Sequence, residues 1–222
     1  MDFSNAHKVL ARVKSISDTA TVVCATKMVE PSVMNQIKSE LGLDIVGENK
    51  VQELLSKYES ANLCKHWHII GQLQTNKVKY IADKVEMIQS LDRTSLAVEI
   101  EKQCAKLDKT MNVLIEVNMG GEISKGGVEP EKVIEFIESL NEFKRLNVQG
   151  LMSVLPNLDD KVELSAHYKK LYSLYEETKR AFPKKEIKFL SAGMSGDYEI
   201  ALECGANMIR LGSCLFGRRN YN

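Results

Sequence analysis

The sequence predicts a single (β/α)8 barrel. Short apolar and β-branched runs alternate with longer amphipathic stretches from residue 21 to residue 217, and no proline- or serine-rich linker interrupts them. Strands that alternate with helices are typical of a parallel sheet, and right-handed crossovers between eight strands close most simply into a barrel. We therefore expect one α/β domain over residues 1–222, with residues 3–16 as an additional N-terminal helix and without a second domain.

Eight runs have strand character, and several are almost continuously apolar, as expected for parallel strands covered on both faces. They are residues 21–26, 44–47, 67–71, 85–91, 111–118, 147–154, 187–193 and 207–212. Helical patterns occupy residues 31–41, 49–60, 76–82, 93–107, 130–142, 160–181 and 197–204. Segment 130–142 shows the pattern best, because it opens with Pro130 and carries apolar residues at spacings of three, four and seven.

The competing architecture is an open doubly wound sheet. Such a sheet usually carries a glycine-rich turn after its first strand. Here that turn reads ATKMVEPS (25–32), which contains neither GxGxxG nor a Walker lysine motif. The first turn therefore favours the barrel.

Composition excludes several classes of function. The 30 Lys and Arg residues balance the 30 Asp and Glu residues, so no broad basic surface for nucleic acid is expected. The five cysteines form no CxxC pair, and His66 and His68 lack a third ligand at a usable spacing, so we expect reduced thiols and no metal. No stretch approaches the ~18 apolar residues of a membrane span, which predicts a cytoplasmic protein. The charged stretches 57–59 and 184–188 are expected to be solvated.

Lys27 ends the first predicted strand. Active sites of these barrels lie at the C-terminal ends of the strands, where a lysine is partly desolvated and its neutral amine can attack a carbonyl. Lys27 is therefore a candidate Schiff-base lysine. The alternative is an ordinary solvated lysine at a strand end.

Two neighbouring loops carry small residues beside hydroxyls. Ser195 and Gly196 follow the seventh strand, and Gly212 and Ser213 follow the eighth. Hydroxyls and backbone N–H groups at these two loops form the phosphate site that such barrels frequently use. The alternative is that Ser195 only caps a helix and the glycines only permit turns.

Arg210 lies two residues before Gly212, so both residues occupy the same face of the eighth strand. If that face is the barrel interior, Arg210 is a buried charge that requires partners. A guanidinium can donate to an unprotonated ring nitrogen, because it does not lose its own proton. The alternative is an internal salt bridge, for example to Glu48.

Ordered motifs over residues 22–221 resemble the pyridoxal phosphate homeostasis proteins. The motifs are ATK (25–27), GENKVQELL (47–55), WHIIGQLQTNK (67–77), VLIEVNMGGEISKGG (113–127), GLMSVLP (150–156), SAGMSGDYEIAL (191–202) and IRLGSCLFGRRNY (209–221). The resemblance implies a fold-type III barrel that holds pyridoxal 5'-phosphate (PLP) as a Schiff base on Lys27, with Arg210 facing the pyridine nitrogen. It further implies phosphate contacts from Ser195, Gly196, Gly212 and Ser213, and pocket contacts from Asn49, Met152 and Met194.

The resemblance implies a role in intracellular PLP homeostasis, without catalytic turnover of its own. Apo forms of PLP-dependent enzymes are the expected partners, and a monomer is the expected state. Lys125 is an outside candidate for a second or transient attachment site. The chain departs from the family where residues 28–30 replace a common Thr-Lys-Pro run, so the first loop is expected to follow a different path.

Two enzyme functions compete with this interpretation. A PLP-dependent amino-acid racemase shares the barrel and also sets an arginine against the ring. Racemases add a C-terminal β-domain, whereas this sequence ends soon after its eighth strand, so racemase activity is not expected. The second competitor is a barrel enzyme acting on a sugar phosphate, with Lys27 as its Schiff-base nucleophile.

Overall fold

Eight parallel strands close into a barrel in the computed structural model, which describes residues 2–120, 126–156 and 158–217. Each strand pairs with its neighbours in sequence, and β1 pairs with β8 to close the ring. The strands are β1 (Thr21–Ala25), β2 (Ile45–Glu48), β3 (His66–Ile69), β4 (Met87–Leu91), β5 (Met111–Glu116), β6 (Leu146–Met152), β7 (Phe189–Met194) and β8 (Met208–Leu211). The predicted (β/α)8 barrel is confirmed, and the doubly wound alternative is wrong.

Helices cover the outside of the barrel. They are α1 (Ser4–Ile16), α2 (Pro31–Leu41), α3 (Val51–Lys57), α4 (Thr94–Lys106), α5 (Val133–Ser139), α6 (Lys161–Ala181), α7 (Tyr198–Glu203) and α8 (Ser213–Phe216), with 3-10 helices at Thr75–Tyr80, Pro130–Lys132 and Leu140–Glu142. Helix α1 packs against α7 and α8, where Asn5 donates to the Cys214 carbonyl oxygen at 2.7 Å. The sequence did not predict α8.

Two apolar cores lie on the two faces of the sheet. The larger core fills the layer between the strands and the helices. The smaller core fills the barrel interior and consists of Val23, Ile70, Met87, Leu114, Met152 and Met208. Gly47 belongs to this crowded interior, because a Cβ atom there would lie 2.9 Å from side-chain atoms of Ile70 and Val23.

The alternation of side chains decides which residues at the end of β1 face the interior. Val23 belongs to the interior core and Cys24 to the outer one. Because the period of a strand is two residues, Ala25 continues the interior face. Thr26 lies on the outer side, where it bonds to Glu48, and Lys27 follows in the turn beyond the end of β1.

The described residues contain no group of three or more histidine, cysteine, aspartate or glutamate side chains that could hold a metal ion. His66 is exposed, while His68 is buried beside Gln89. Within the same ranges, none of the helices has both the length and the apolar character needed to span a membrane. The expectation that residues 57–59 are solvated is wrong for Lys57, whose side chain is only 9% exposed.

Candidate functional site

A cavity of about 760 Å³ opens at the C-terminal end of the barrel. Its walls come from strand ends and βα loops, where barrels of this architecture build their sites. The lining residues are Ala25, Asn49, Ile70, Gly71, Glu116, Val154, Met194, Ser195, Gly196, Arg210, Gly212 and Ser213. The cavity thus combines apolar walls with one guanidinium, one carboxyl group, one amide and two hydroxyls.

Arg210 supplies a fixed positive charge in the depth of the cavity. The residue is 3% exposed, and it pairs in register with Val23 of the interior core. Its guanidinium donates to the Ser191 carbonyl oxygen at 2.9 Å, to Ser191 Oγ at 2.8 Å and to the Ser153 carbonyl oxygen at 2.9 Å. These bonds use three of the five N–H donors of a guanidinium. They hold Arg210 rigidly while it faces the cavity.

The salt bridge from Arg210 to Glu48 that the sequence left open is not formed. Glu48 lies on the outer face of the sheet, where it pairs with Lys57 at 2.9 Å. Neutral oxygen acceptors hold Arg210 instead. None of these hydrogen-bonded partners is a carboxylate, so they leave the positive charge of Arg210 unneutralised.

The loops after β7 and β8 meet through Ser195. Its Oγ accepts hydrogen bonds from the backbone N–H of Gly212 at 3.0 Å and from that of Cys214 at 3.3 Å. Ser195, Gly196, Gly212 and Ser213 therefore share one wall of the cavity. A serine hydroxyl that accepts two bonds still has its own proton to donate, so this wall can donate to an anionic oxygen.

Lys27 lies in the turn after β1, two residues beyond the cavity-lining Ala25. It is half-buried. The next residue, Met28, has a φ of 58°, in the left-handed region that methionine rarely occupies. The turn that carries Lys27 is thus sharply bent and needs support from its surroundings.

Glu116 is the carboxyl group of the cavity, on β5. Its Oε2 atom is buried and has no hydrogen-bond partner among the described residues. Burial raises the pKa of Glu116 to about 7, and the charge of Asp92 acts in the same direction, against the charges of Arg210 and Arg93. Near neutral pH this carboxyl group can either hold or release a proton.

A family model described as the alanine racemase N-terminal domain matches residues 4–220. The pyridoxal phosphate homeostasis protein of Aquifex aeolicus is 45% identical over 203 residues, covering 91% of this chain and 88% of that protein. The protein of the same name from Pasteurella multocida is 34% identical, covering 82% and 80%. This chain belongs to the pyridoxal phosphate homeostasis protein family. The family predicted from the sequence motifs is therefore confirmed.

Solved structures show how widely this family's barrel occurs. PipY of Synechococcus elongatus with PLP bound superposes with a TM-score of 0.87 at 23% identity, covering 96% of this chain and 100% of that chain. An alanine racemase from Clostridium difficile superposes with a TM-score of 0.76 at 13% identity, covering 98% of this chain but 60% of the racemase. At these identities the likeness concerns the fold alone.

The structure gathers most of the predicted site residues around one cavity. Seven of the nine line it, namely Asn49, Met194, Ser195, Gly196, Arg210, Gly212 and Ser213. Lys27 is not among the lining residues and lies in the turn two residues beyond Ala25, which lines the cavity, while Met152 is fully buried in the interior core. Lys125 lies outside the described residues.

Sequence reasoning missed Glu116. The signal was a charged residue within the apolar run VLIEVN, two positions after Leu114 and therefore on the same strand face. Leu114 belongs to the interior core. A carboxyl group in register with a core leucine, at the end of a barrel strand, could have been read as part of the site.

Proposed function

We propose that this protein binds PLP in the barrel cavity, holds it as a Schiff base on Lys27, and serves intracellular PLP homeostasis. The observation that carries the proposal is the arrangement of donors in one cavity. Arg210 lies deep on β8, and the Ser195 and Gly212 loops lie nearer the rim. Gly212 follows Arg210 by two residues, just past the end of β8, a span of at most about 7 Å that a pyridine ring with its phosphate arm can bridge.

The residues present fit this cofactor chemically. The two donor-rich loops suit the phosphate, Arg210 suits a pyridine nitrogen that carries no proton, and Lys27 suits the aldehyde. Met194 and Val154 give the ring an apolar wall. When bound, PLP supplies an aldehyde that bonds covalently to a primary amine. The protein's part is to orient that aldehyde toward Lys27 and to fix the phosphate.

Borohydride reduction of the PLP-loaded protein, followed by peptide mapping, tests the covalent assignment. We expect a phosphopyridoxyl group on Lys27, and we expect its loss in a folded Lys27→Ala variant. Lys50→Ala is the matched control, because Lys50 is an exposed lysine in the neighbouring loop, between β2 and α3. An adduct mainly on another lysine, Lys125 included, would refute the assignment.

We also propose that the protein does not turn over amino acids as a racemase does. Two-base racemisation needs an acid or base on each face of the α-carbon. Among the described residues that line the cavity, the ionisable side chains are Glu116 and Arg210, and a guanidinium does not exchange a proton at neutral pH. With Lys27 on one face, Glu116 is the one lining group that could serve the other, so the proposal requires that Glu116 does not exchange the α-proton.

Proton exchange decides between the carrier and the racemase. Alanine and serine are incubated with the PLP-loaded protein in deuterated water, and both α-proton exchange and chirality are followed. We expect no turnover within the ordinary enzyme range of about 1 to 10³ per second. Turnover in that range, abolished by Glu116→Gln, would establish the racemase instead.

We further propose that the protein acts in the cytoplasm as a monomer that delivers PLP to apo enzymes. The rim of the cavity supports contact with a protein acceptor, because Val154 and Met194, which line the cavity, have exposed apolar side chains. Mixing the loaded protein with an apo PLP-dependent enzyme tests delivery. Recovery of enzyme activity no faster than with the same concentration of released PLP would contradict it.

A further inference from the structure

A buried ion-pair network lies behind the turn that carries Lys27. Lys57 Nζ is 2.9 Å from Glu48 Oε1 and 2.6 Å from Glu53 Oε1. The Lys57 side chain is 9% exposed and that of Glu48 is 0% exposed. We name these three residues, together with Thr26, the Lys57 network. Burying charges of this kind costs free energy unless they are fully paired. Their presence here therefore calls for a structural or functional reason.

The Lys57 network holds both peptide groups of Lys27. Lys57 Nζ donates to the carbonyl oxygen of Thr26 at 2.7 Å, and this oxygen belongs to the peptide bond that precedes Lys27. The backbone N–H of Met28, in the peptide bond that follows Lys27, donates to Glu53 Oε1. One ammonium and one carboxylate, themselves paired, thus fix the backbone on either side of the Lys27 Cα.

Thr26 fixes the network to the sheet. Thr26 Oγ1 donates to Glu48 Oε1 at 2.7 Å, and Thr26 N–H donates to the Gly47 carbonyl oxygen at 3.0 Å. The network therefore links the ends of β1 and β2 to the last residue of α3. It lies on the outer face of the sheet, and none of its four residues lines the cavity, whereas Ala25, two residues before Lys27, does.

We propose that Lys57 is a positioning residue, which fixes the two peptide groups of Lys27 and so aims the Lys27 amine at the aldehyde of bound PLP. This inference rests on the proposed function. Met28 has a left-handed backbone conformation, which costs free energy and persists only where surrounding contacts hold it. The hydrogen bonds of the Lys57 network supply such contacts. Without the network the turn can relax, and the amine then leaves the geometry that bond formation requires.

The test compares covalent with non-covalent binding in Lys57→Met. Formation of the covalent bond is followed by its visible absorption band after mixing with PLP. Non-covalent affinity is measured by calorimetry with pyridoxine 5'-phosphate, which carries the ring and the phosphate but no aldehyde. A displacement of the amine by about 1 Å should slow covalent capture by about 100-fold. The affinity for pyridoxine 5'-phosphate should stay at the wild-type value.

Two further variants keep the test decisive. Glu53→Ala removes the acceptor of the Met28 N–H at a less buried position, so it answers the question if Lys57→Met does not fold. Lys57→Arg keeps a donor and should recover part of the capture rate. Lys38→Met is the matched control, because Lys38 makes an ion pair of similar length, 2.8 Å to Asp44, away from the Lys27 turn.

The outcomes separate this inference from the function on which it rests. If the wild-type protein forms no covalent bond with PLP, the proposed function fails. If the wild type forms it and the folded Lys57→Met or Glu53→Ala variant forms it equally fast, the positioning role of Lys57 fails. A parallel loss of pyridoxine 5'-phosphate affinity would also overturn that role, because it would show damage to the whole pocket.

Discussion

The ionisation of Glu116 should control how the stability of this protein changes across neutral pH. Burial and the charge of Asp92 raise the pKa of Glu116 from 4.5 to about 7, against the attraction of Arg210 and Arg93. This change in the pKa of Glu116 corresponds to about 3 kcal/mol between the two protonation states. Because the folded protein binds this proton more tightly than the unfolded chain, the contribution is complete below pH 4.5 and is lost as the pH rises through about 7.

Glu116→Gln removes this titration while keeping the shape of the side chain. Chemical unfolding in urea, followed by circular dichroism between pH 5 and pH 8, gives the free energy of unfolding for each variant. We expect the variant to be more stable than the wild type at pH 8, by up to about 3 kcal/mol, and nearly equal to it at pH 5.

The control is Glu129→Gln, which removes a carboxylate that is 64% exposed and should leave the pH profile unchanged. Wild-type and Glu116→Gln profiles that run parallel from pH 5 to pH 8 would refute the assignment.

Three further predictions follow from the described contacts. Ser195→Ala removes the oxygen that joins the two donor-rich loops. Calorimetry should show that the binding free energy of PLP weakens by about 1.5 to 3 kcal/mol, and that the binding free energy of pyridoxal weakens by less. Equal losses for the two ligands would place the phosphate elsewhere. Burial lowers the pKa of His68 to about 4, so the free energy of unfolding should fall by up to about 3 kcal/mol as the pH drops from 6.5 toward 4. If a His68→Gln variant keeps this loss of stability in acid, His68 is not its cause. Gly150→Ala sets a Cβ atom 1.8 Å from the Phe189 carbonyl oxygen, at a residue whose φ is 153°. The free energy of unfolding should therefore fall by about 3 kcal/mol or more. An unchanged melting temperature would show instead that β6 can shift to make room.

The periodicity of the sequence predicted the barrel well because it is a property of each element alone. Each of the eight strands begins within two residues of its predicted first residue. The helix predicted over residues 31–41 is Pro31–Leu41. The predicted helix 130–142 is instead a helix, Val133–Ser139, between two 3-10 turns. An apolar stripe cannot separate these states at the ends of a helix, because both present one face to the core over a single turn.

The site was predictable to the extent that it follows from topology. In a barrel the residues at strand ends converge, so Ser195, Arg210 and Gly212 could be assigned to one cavity from their positions alone. Met152 fell outside the cavity surface because it lies one layer deeper, in the interior core. Depth within a barrel depends on strand tilt and stagger, which sequence spacing does not specify.

Lys57 was misread for a different physical reason. On a helix, Glu53 and Lys57 are spaced as i and i+4, a pattern that usually marks a solvated ion pair of small energetic value. What changes its meaning is the pairing of β1 with β2, which sets Ala25 beside Gly47 and so brings Thr26 to the carboxyl group of Glu48. That pairing gives the lysine two more acceptors and removes it from water. A charged residue on the helix that follows the neighbouring strand, as Lys57 is on α3 after β2, should therefore be judged by the acceptors that the paired strand ends supply. Those acceptors decide whether the charge is solvated or holds the strand-end lysine in place.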